Sequence, residues 1–458
     1  MGQALVSQRH SGAQAVFAYL SKSAAALWLA LLLFSPRAAQ AVPAFAQQTG
    51  QPCAACHVGA FGPQLKQYGR DFKLNGYLAA SGEDTRLPIA VTAQTSFTHT
   101  DAPQQGGAAP HYAPNDNFNI DQISLYYAGR ITPWLGAFIQ VTYDGTARQL
   151  TADNADVRLA CDTDLFGEDL VYGFTVNNSP TVTDLWNSTP VWGFPYNNSA
   201  LAPTPLAATL IDGGLAQRVV GIGSYAMWNN LVYLEADVYQ GLGYQALNAT
   251  GITPVAGTDK ARGAIPYWRL ALQRDIGRAY YQVGTYGIHA DILPGGIEVA
   301  GLTDSYTDTA ADANFQFIFN PNSLTSDMIS AHATFIHEDA QLNASSVISG
   351  SRPVHELNTL RADVSYAIGA TVTPTIQYFQ TTGTGDINYY DTPTGRPDSK
   401  GMVYEIAYVP FGKPDSIIQW GNIRFAAQYV TYFQYNGVTK HASDNNALYL
   451  NIWAAAHF

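Results

Sequence analysis

The feature that most restricts what this chain can become is a period-two alternation that begins near Leu87 and runs to the carboxyl end. Segments of about ten residues set apolar side chains on one face and polar ones on the other. In 231–240, Val232, Leu234, Ala236 and Val238 oppose Tyr233, Glu235 and Asp237. In 267–273, Trp268, Leu270 and Leu272 oppose Tyr267, Arg269 and Gln273, and in 327–337, Ile329, Ala331, Ala333 and Phe335 oppose Met328, Ser330, His332 and Thr334. A half-buried sandwich would alternate in the same way, so connection lengths must separate the two. Brief turns at 131–133, Asn229-Asn230, 275–277 and Gly369-Ala370 alternate with long polar stretches at 99–117, 178–214, 241–264, 290–310 and 381–400. Short connections on one side and long ones on the other are what a membrane barrel with two different rims produces.

The strands expected on this basis span 88–98, 118–130, 134–144, 155–161, 169–177, 215–228, 231–240, 265–274, 278–289, 311–319, 326–337, 356–368, 371–380, 401–409, 418–433 and 447–458. They number about sixteen, an even count as outer-membrane barrels use. The predicted fold is therefore all-β: an outer-membrane antiparallel β-barrel over 87–458, with both chain ends on the periplasmic, short-turn side. Leu450, Ile452, Ala454, Ala456 and the terminal Phe458 share one face of the last strand, a pattern similar to the recognition signal of bacterial outer-membrane barrels. Charged residues make up only 13% of the chain, about half the usual share, while aromatic residues reach 12%. Such a surface suits outer-membrane lipid as a partner.

Residues 1–41 read as a secretory signal. Arg9 and Lys22 lie in a long n-region, 24–34 form the apolar core, and Ala39-Gln40-Ala41 fits a small-residue cleavage site, so the mature chain is expected to begin at Val42. The rest holds no run approaching the roughly 18 apolar residues of a spanning helix. Cleavage removes three cations and no anions from a chain that already has 35 Asp and Glu against 23 Lys and Arg. This acidity argues against nucleic acid as a partner.

Between the signal and the barrel, segment 42–86 contains Cys53-Ala54-Ala55-Cys56-His57, a CxxCH motif. Two thiols at this spacing can form thioethers to the vinyl groups of one covalent haem c while the adjacent imidazole reaches the iron. The same thiols could instead form a disulfide or half of a zinc site. Zinc wants a second ligand pair, and Cys161 stands alone. The segment has room for one helix, over 63–74, with Asn75-Gly76 as its stop. Phe61, Leu65, Tyr68, Phe72 and Leu74 could cover one side of a porphyrin but not both. The small α-helical segment is thus expected to plug the barrel and borrow its wall.

Phe45, Gln48-Thr49-Gly50, the CAACH run, Pro63, Leu65, Gly69-Arg70, Phe72-Lys73 and Gly76-Tyr77, followed by an alternating barrel sequence, resemble the fused outer-membrane monohaem cytochrome-porin family of iron-oxidising bacteria. The resemblance is specific over the haem segment and architectural over the barrel. Members often carry Arg where Gln47 stands and Phe where Tyr68 stands. The resemblance implies electron transfer from extracellular Fe(II), or another small donor, through a single haem to a periplasmic cytochrome or copper protein.

For the second axial ligand of the iron, inward parity and a mid-strand position favour His332, with Met328 on the same face. The competing expectation is that each simply lines a polar wall. His99, His111, His289, His355 and His441 fall near loop ends. Inward-facing Glu235, Asp237, Asp363 and Glu405 could attract a cation, with Arg269, Arg361 and Arg424 pairing with them or with haem propionates, or all could be ordinary lumen charges. No acid-base or nucleophilic constellation is visible, so any chemistry belongs to the cofactor. Alternatives to inward electron transfer are a solute channel gated by the plug and outward electron transfer to an extracellular acceptor.

Overall fold

The computed structural model describes residues 43–82, 87–252, 259–418 and 420–457. The expected signal segment with its cleavage site, the new amino terminus at Val42 and the closing Phe458 lie outside the described residues.

The wall is one antiparallel sheet. Its strands in chain order are β1 (Ile89–Thr100), β2 (Asn117–Thr132), β3 (Leu135–Asp144), β4 (Gln149–Leu165), β5 (Glu168–Asn177), β6 (Val219–Trp228), β7 (Val232–Gly241) and the short β8 (Lys260–Arg262). Then come β9 (Ala264–Ile276), β10 (Ala279–Leu293), β11 (Asp304–Ile318), β12 (Met328–Leu342), β13 (Val354–Ala367), β14 (Val372–Gly383), β15 (Ser399–Tyr408), β16 (Gly421–Gln434) and β17 (Ala447–His457). β17 returns to β1, with Ala90 opposite His457 and Thr100 opposite Ala447, and the ring closes. β8 and β9 both pair with β10 and form one wall strand interrupted at Gly263, whose φ of 75° breaks the ladder. Among the described residues the ring therefore has sixteen positions, as the alternation predicts.

Several strands run longer than the alternation suggests. The expected 155–161 becomes β4, Gln149–Leu165, and 311–319 becomes β11, Asp304–Ile318. The added residues, such as Asp304-Ser305-Tyr306-Thr307-Asp308, keep the backbone ladder but show no apolar outer face. Hydrogen bonding continues past the level at which the environment demands apolar side chains.

Burial follows the expected parity. In β7, Glu235 and Asp237 are 4% and 2% exposed, whereas Leu234 and Val238 on either side of them are each 52% exposed. The exterior carries Leu, Ile, Val and Phe on nearly every strand, a continuous apolar belt far larger than a water-soluble surface tolerates. The polar lumen is filled from both ends. From the long-loop rim, the connection 178–218 folds inward, burying Thr181, Val182, Leu185 and Trp186. From the opposite end comes the amino-terminal segment, with helices α1 (Pro43–Thr49), α2 (Cys53–Cys56) and α3 (Gln67–Leu74). Its contacts reach the connections and strand ends at that rim: Ala54 N–H donates to Gly412 O at 2.9 Å, Lys66 Nζ to Leu324 O at 3.1 Å, and Gln67 Nε2 to Asp275 Oδ2 at 2.9 Å.

The helix expected over 63–74 begins only at Gln67. The preceding residues are committed to a small antiparallel bridge between His57 and Leu65, in which Val58 N–H bonds Gln64 O and Lys66 N–H bonds Cys56 O. Backbone groups used there are lost to a helix.

Leu270, midway along β9 on the outer face, tests the partition. Leu270→Arg should cost about 2–4 kcal/mol of barrel stability in a bilayer. Urea unfolding in lipid vesicles, read by tryptophan fluorescence, measures it, and wild-type stability in this variant would contradict a lipid-facing exterior.

Candidate functional site

Helix α2 is one turn long and carries both thiols of the motif. Pro52 sets its start with φ −68°, and His57 N–H closes the turn on Cys53 O at 2.8 Å. Beyond it Gly59 and Gly62, at φ 65° and 94°, turn the chain back so that Leu65 lies beside His57. The imidazole is thereby sealed inside. Burial lowers the pKa of His57 to about 4, so the ring is neutral at ordinary pH, and its Nδ1 is buried with no hydrogen-bond partner. Burial likewise pushes the Cys56 thiol up to about 12.

Cys56 and His57 border a cavity of about 360 Å³ built from three sources. The plug contributes Phe45, Phe61, Phe72 and Tyr77, the barrel contributes Tyr126, Phe138 and Trp453, and the inward loop contributes Trp192 and Tyr196. Their rings touch across these boundaries. Phe45 stacks on Tyr77 at 5.1 Å and on Phe138 at 6.3 Å, Phe138 meets Trp192 edge-on at 5.8 Å, and Phe61 meets Trp453 at 5.1 Å. Carboxamides of Gln94, Gln122, Gln140 and Asn154 supply the polar part of the lining. Apolar walls with a few convergent polar groups are the usual make-up of a small-molecule pocket, for which about 300–1,000 Å³ is typical.

A second chamber of about 590 Å³ adjoins it, sharing Gln94, Gln122, Asp153 and Tyr196. Asp121, Asp144, Gln217 and Arg218 also line it, so it is polar and acidic. Asp144 ends β3 at the long-loop side, and Arg218 closes the inward loop. The second chamber therefore lies between the first cavity and the long-loop rim.

The plug is fixed by buried polar contacts. Lys73 Nζ donates to Val182 O, Asp184 O and Asn187 Oδ1, each at 2.7 Å, and burial lowers its pKa to about 7. Arg70 donates to Gln316 Oε1 at 2.7 Å and lies 3.8 Å over the Trp186 ring. Tyr77 donates to Asp156 Oδ2 at 2.7 Å, and Arg158 Nε reaches the same oxygen at 2.7 Å. Gly136 of β3 is needed for close approach, because a Cβ there would collide with the Gly76 carbonyl oxygen.

The sequence-predicted residues divide. Cys56 and His57 border the cavity, whereas Cys53 lies behind them, buried beside Ala370 and Val409. His332 and Met328, the expected second ligands, do not border it. His332 Nδ1 is 2.8 Å from Asp363 Oδ2 and its Nε2 is 2.9 Å from Gln64 Nε2, while Met328 packs with Val58 and Leu74. Both point inward as expected, but the cavity rests on the β1–β4 and β17 part of the ring, and β12 is elsewhere around it. Parity gives the direction of a side chain and says nothing of its position around the circumference.

The predicted lumen charges mostly neutralise one another. Arg269 bonds Asp312 at 2.9 Å and Asp184 at 3.2 Å, Arg424 pairs with Glu405, and Arg361 pairs with Asp212. None of these residues, nor Glu235 or Asp237, borders the cavity. His99, His355 and His441 face Asp116, Asp386 and Asp444 near the long loops. Among the described residues no group of three or more His, Cys, Asp and Glu could hold a metal ion. The residues missed by sequence reasoning are the inward loop's Trp192 and Tyr196 and the carboxamide set. The clue was Trp186, Trp192, Phe194 and Tyr196 within one connection, too apolar for a loop in water.

No family model matches this chain, and no curated protein matches it. Among solved structures, it is similar to the anion-selective porin from Comamonas acidovorans (11% identity, 81% of this chain and 98% of that one, TM-score 0.45). It is also similar to OprB of Pseudomonas putida (12% identity, 81% and 93%, TM-score 0.45) and to the outer membrane channel DcaP of Acinetobacter baumannii (11% identity, 81% and 96%, TM-score 0.44). Likeness this loose transfers no function.

Gly136→Val should push the plug off the wall at a cost of about 1–3 kcal/mol. Faster proteolysis of the 43–82 segment in detergent is the expected readout, and unchanged protection would argue against a seated plug. Lys73→Met leaves the buried Asp184 O and Asn187 Oδ1 without this donor, while Val182 O keeps Trp192 Nε1, and should lower stability by about 1–3 kcal/mol, measured by denaturant unfolding.

Proposed function

We propose that this protein is an outer-membrane electron carrier in which one haem c, joined to Cys53 and Cys56 and ligated by His57, occupies the cavity between plug, wall and inward loop. It receives electrons from a small extracellular donor, with Fe(II) the leading candidate, and delivers them to a periplasmic cytochrome or copper protein. The observation that carries this reading is the cavity itself: the imidazole and the second thiol of the CxxCH motif border an aromatic-walled space.

Most of the residues present fit the group: Cys56 and His57 lie on the cavity, while Cys53, one turn earlier in the same helix, stands off its lining. A buried neutral imidazole with an unpartnered nitrogen is the state a metal requires. Phe45, Phe72, Tyr77, Phe138 and Trp192 offer the apolar surface that a macrocycle needs on its faces. The plug alone provides only part of this surface, which is why so short a segment can serve. When bound, the haem supplies one-electron transfer. The protein's own part is to exclude bulk water with the aromatic collar, to hold the plug through Lys73, Arg70 and Tyr77, and to gather cations in the chamber lined by Asp121, Asp144 and Asp153. The apolar exterior and the closed ring support residence in a bilayer, with the plug and both chain ends on the periplasmic side.

A porin reading draws support from the ring size, since sixteen-stranded barrels can enclose an aqueous channel. Against it stands the extent to which plug and loop fill the lumen. Stopped-flow spectroscopy decides between them: rapid haem reduction by Fe(II) is expected, and a protein that takes no electrons from Fe(II) but admits small sugars into liposomes would be a channel. Cys53→Ala with Cys56→Ala should abolish covalent haem on a stained gel. His332→Ala should leave the haem spectrum unchanged, because that ring lies outside the cavity.

A further inference from the structure

We infer that no residue of this chain supplies the second axial ligand of the haem iron, so that water holds that position at rest and gives way to small exogenous ligands such as cyanide, azide, nitric oxide or imidazole. This rests on the haem reading above.

The lining of the cavity carries the inference. Among its described residues His57 is the single imidazole, and there is no thioether. The chain has ten His and four Met. Met1 and His10 fall in the signal segment, and residues 42, 83–86, 253–258, 419 and 458 include neither type. The inward-facing alternatives are committed elsewhere. His332 is held between Asp363 and Gln64, and Met227 and Met328 pack in the cluster that contains Val58 and Leu74. His457 ends β17 and does not border the cavity.

The oxygen candidates on the lining are engaged: Asp153 Oδ2 accepts from Thr142 Oγ1 at 2.8 Å, Tyr77 donates to Asp156 Oδ2 at 2.7 Å and the Tyr126 hydroxyl lies 3.4 Å from Thr92 Oγ1. Lys73 is the remaining amine. Its three ammonium protons have three oxygen acceptors at 2.7 Å, so presenting a lone pair would mean breaking that set. Tyr196 donates its hydroxyl proton to Gln64 Oε1 at 3.2 Å and is likewise engaged. What the cavity does offer an iron-bound water is carboxamides, from Gln94, Gln122, Gln140 and Asn154. Two of these, Gln94 and Gln122, also line the polar chamber toward the long-loop rim, which gives a small ligand its way in.

The full-length holoprotein in detergent tests this. A pyridine haemochrome spectrum first establishes covalent haem, and if none is attached the haem reading itself fails. With haem attached, the ferric protein should give a high-spin electron paramagnetic resonance signal that converts to low-spin on adding cyanide. A low-spin resting signal, with a methionine–iron charge-transfer band or the signature of two nitrogen ligands, overturns the inference while leaving the haem reading intact. So does a low-spin resting haem that becomes high-spin in Lys73→Gln, which would identify that amine as the ligand. Gln122→Trp, narrowing the shared passage, should slow cyanide binding by roughly tenfold, and an unchanged rate would overturn access through the chamber.

Discussion

The pairing of β17 with β1 is the interaction on which the remaining structure depends. A sheet whose two edges meet leaves no row of unpaired backbone N–H and C=O groups, and only such a sheet can sit in hydrocarbon without unsatisfied polar atoms. Closure then imposes a strict inside and outside on every strand, because side chains alternate. Leu234 and Val238 face out for the same reason that Glu235 and Asp237 face in. The apolar exterior and polar lumen are two consequences of one ladder.

A polar lumen of this width must be filled or flooded, and here much of it is filled. Charges on the inner face would be costly if left dry and single. They find partners instead: Arg269 with Asp184 and Asp312, Arg158 with Asp156, Arg424 with Glu405. The plug and the inward loop join this network, since Lys73 of the plug caps the loop's carbonyls and Arg158 of the wall donates to Thr183 O of the loop. A segment with three short helices, too small to form a core of its own, is held by groups contributed from both barrel and loop.

The cavity bordered by Cys56 and His57 exists only because these three parts meet. The aromatic rings that enclose it come from residues as far apart in the chain as Phe45, Phe138, Trp192 and Trp453. Proximity of that kind leaves no local trace. What was legible beforehand was the imidazole and thiols, which lie within five residues, and the alternation, which repeats every second residue. His332 shows where such reading stops. Its inward direction follows from parity, but its partners Asp363 and Gln64 depend on where β12 falls in the ring and where the plug comes to rest. Likewise the helix expected from Pro63 starts late because Leu65 pairs with His57, a contact between residues that no helical periodicity encodes.

The sequence by itself determined the number of wall strands, the face each side chain presents, the alternation of short and long connections, and a CxxCH motif near the amino end. These are local properties, set by side-chain period and turn chemistry within a few residues. Tertiary structure alone decided that the connection 178–218 folds inward, that the cavity lies against β1–β4 and β17, and that neither His332 nor Met328 reaches it. Those outcomes depend on how a closed ring satisfies its buried polar groups with whatever enters from its two ends, a condition that no segment of the chain carries alone.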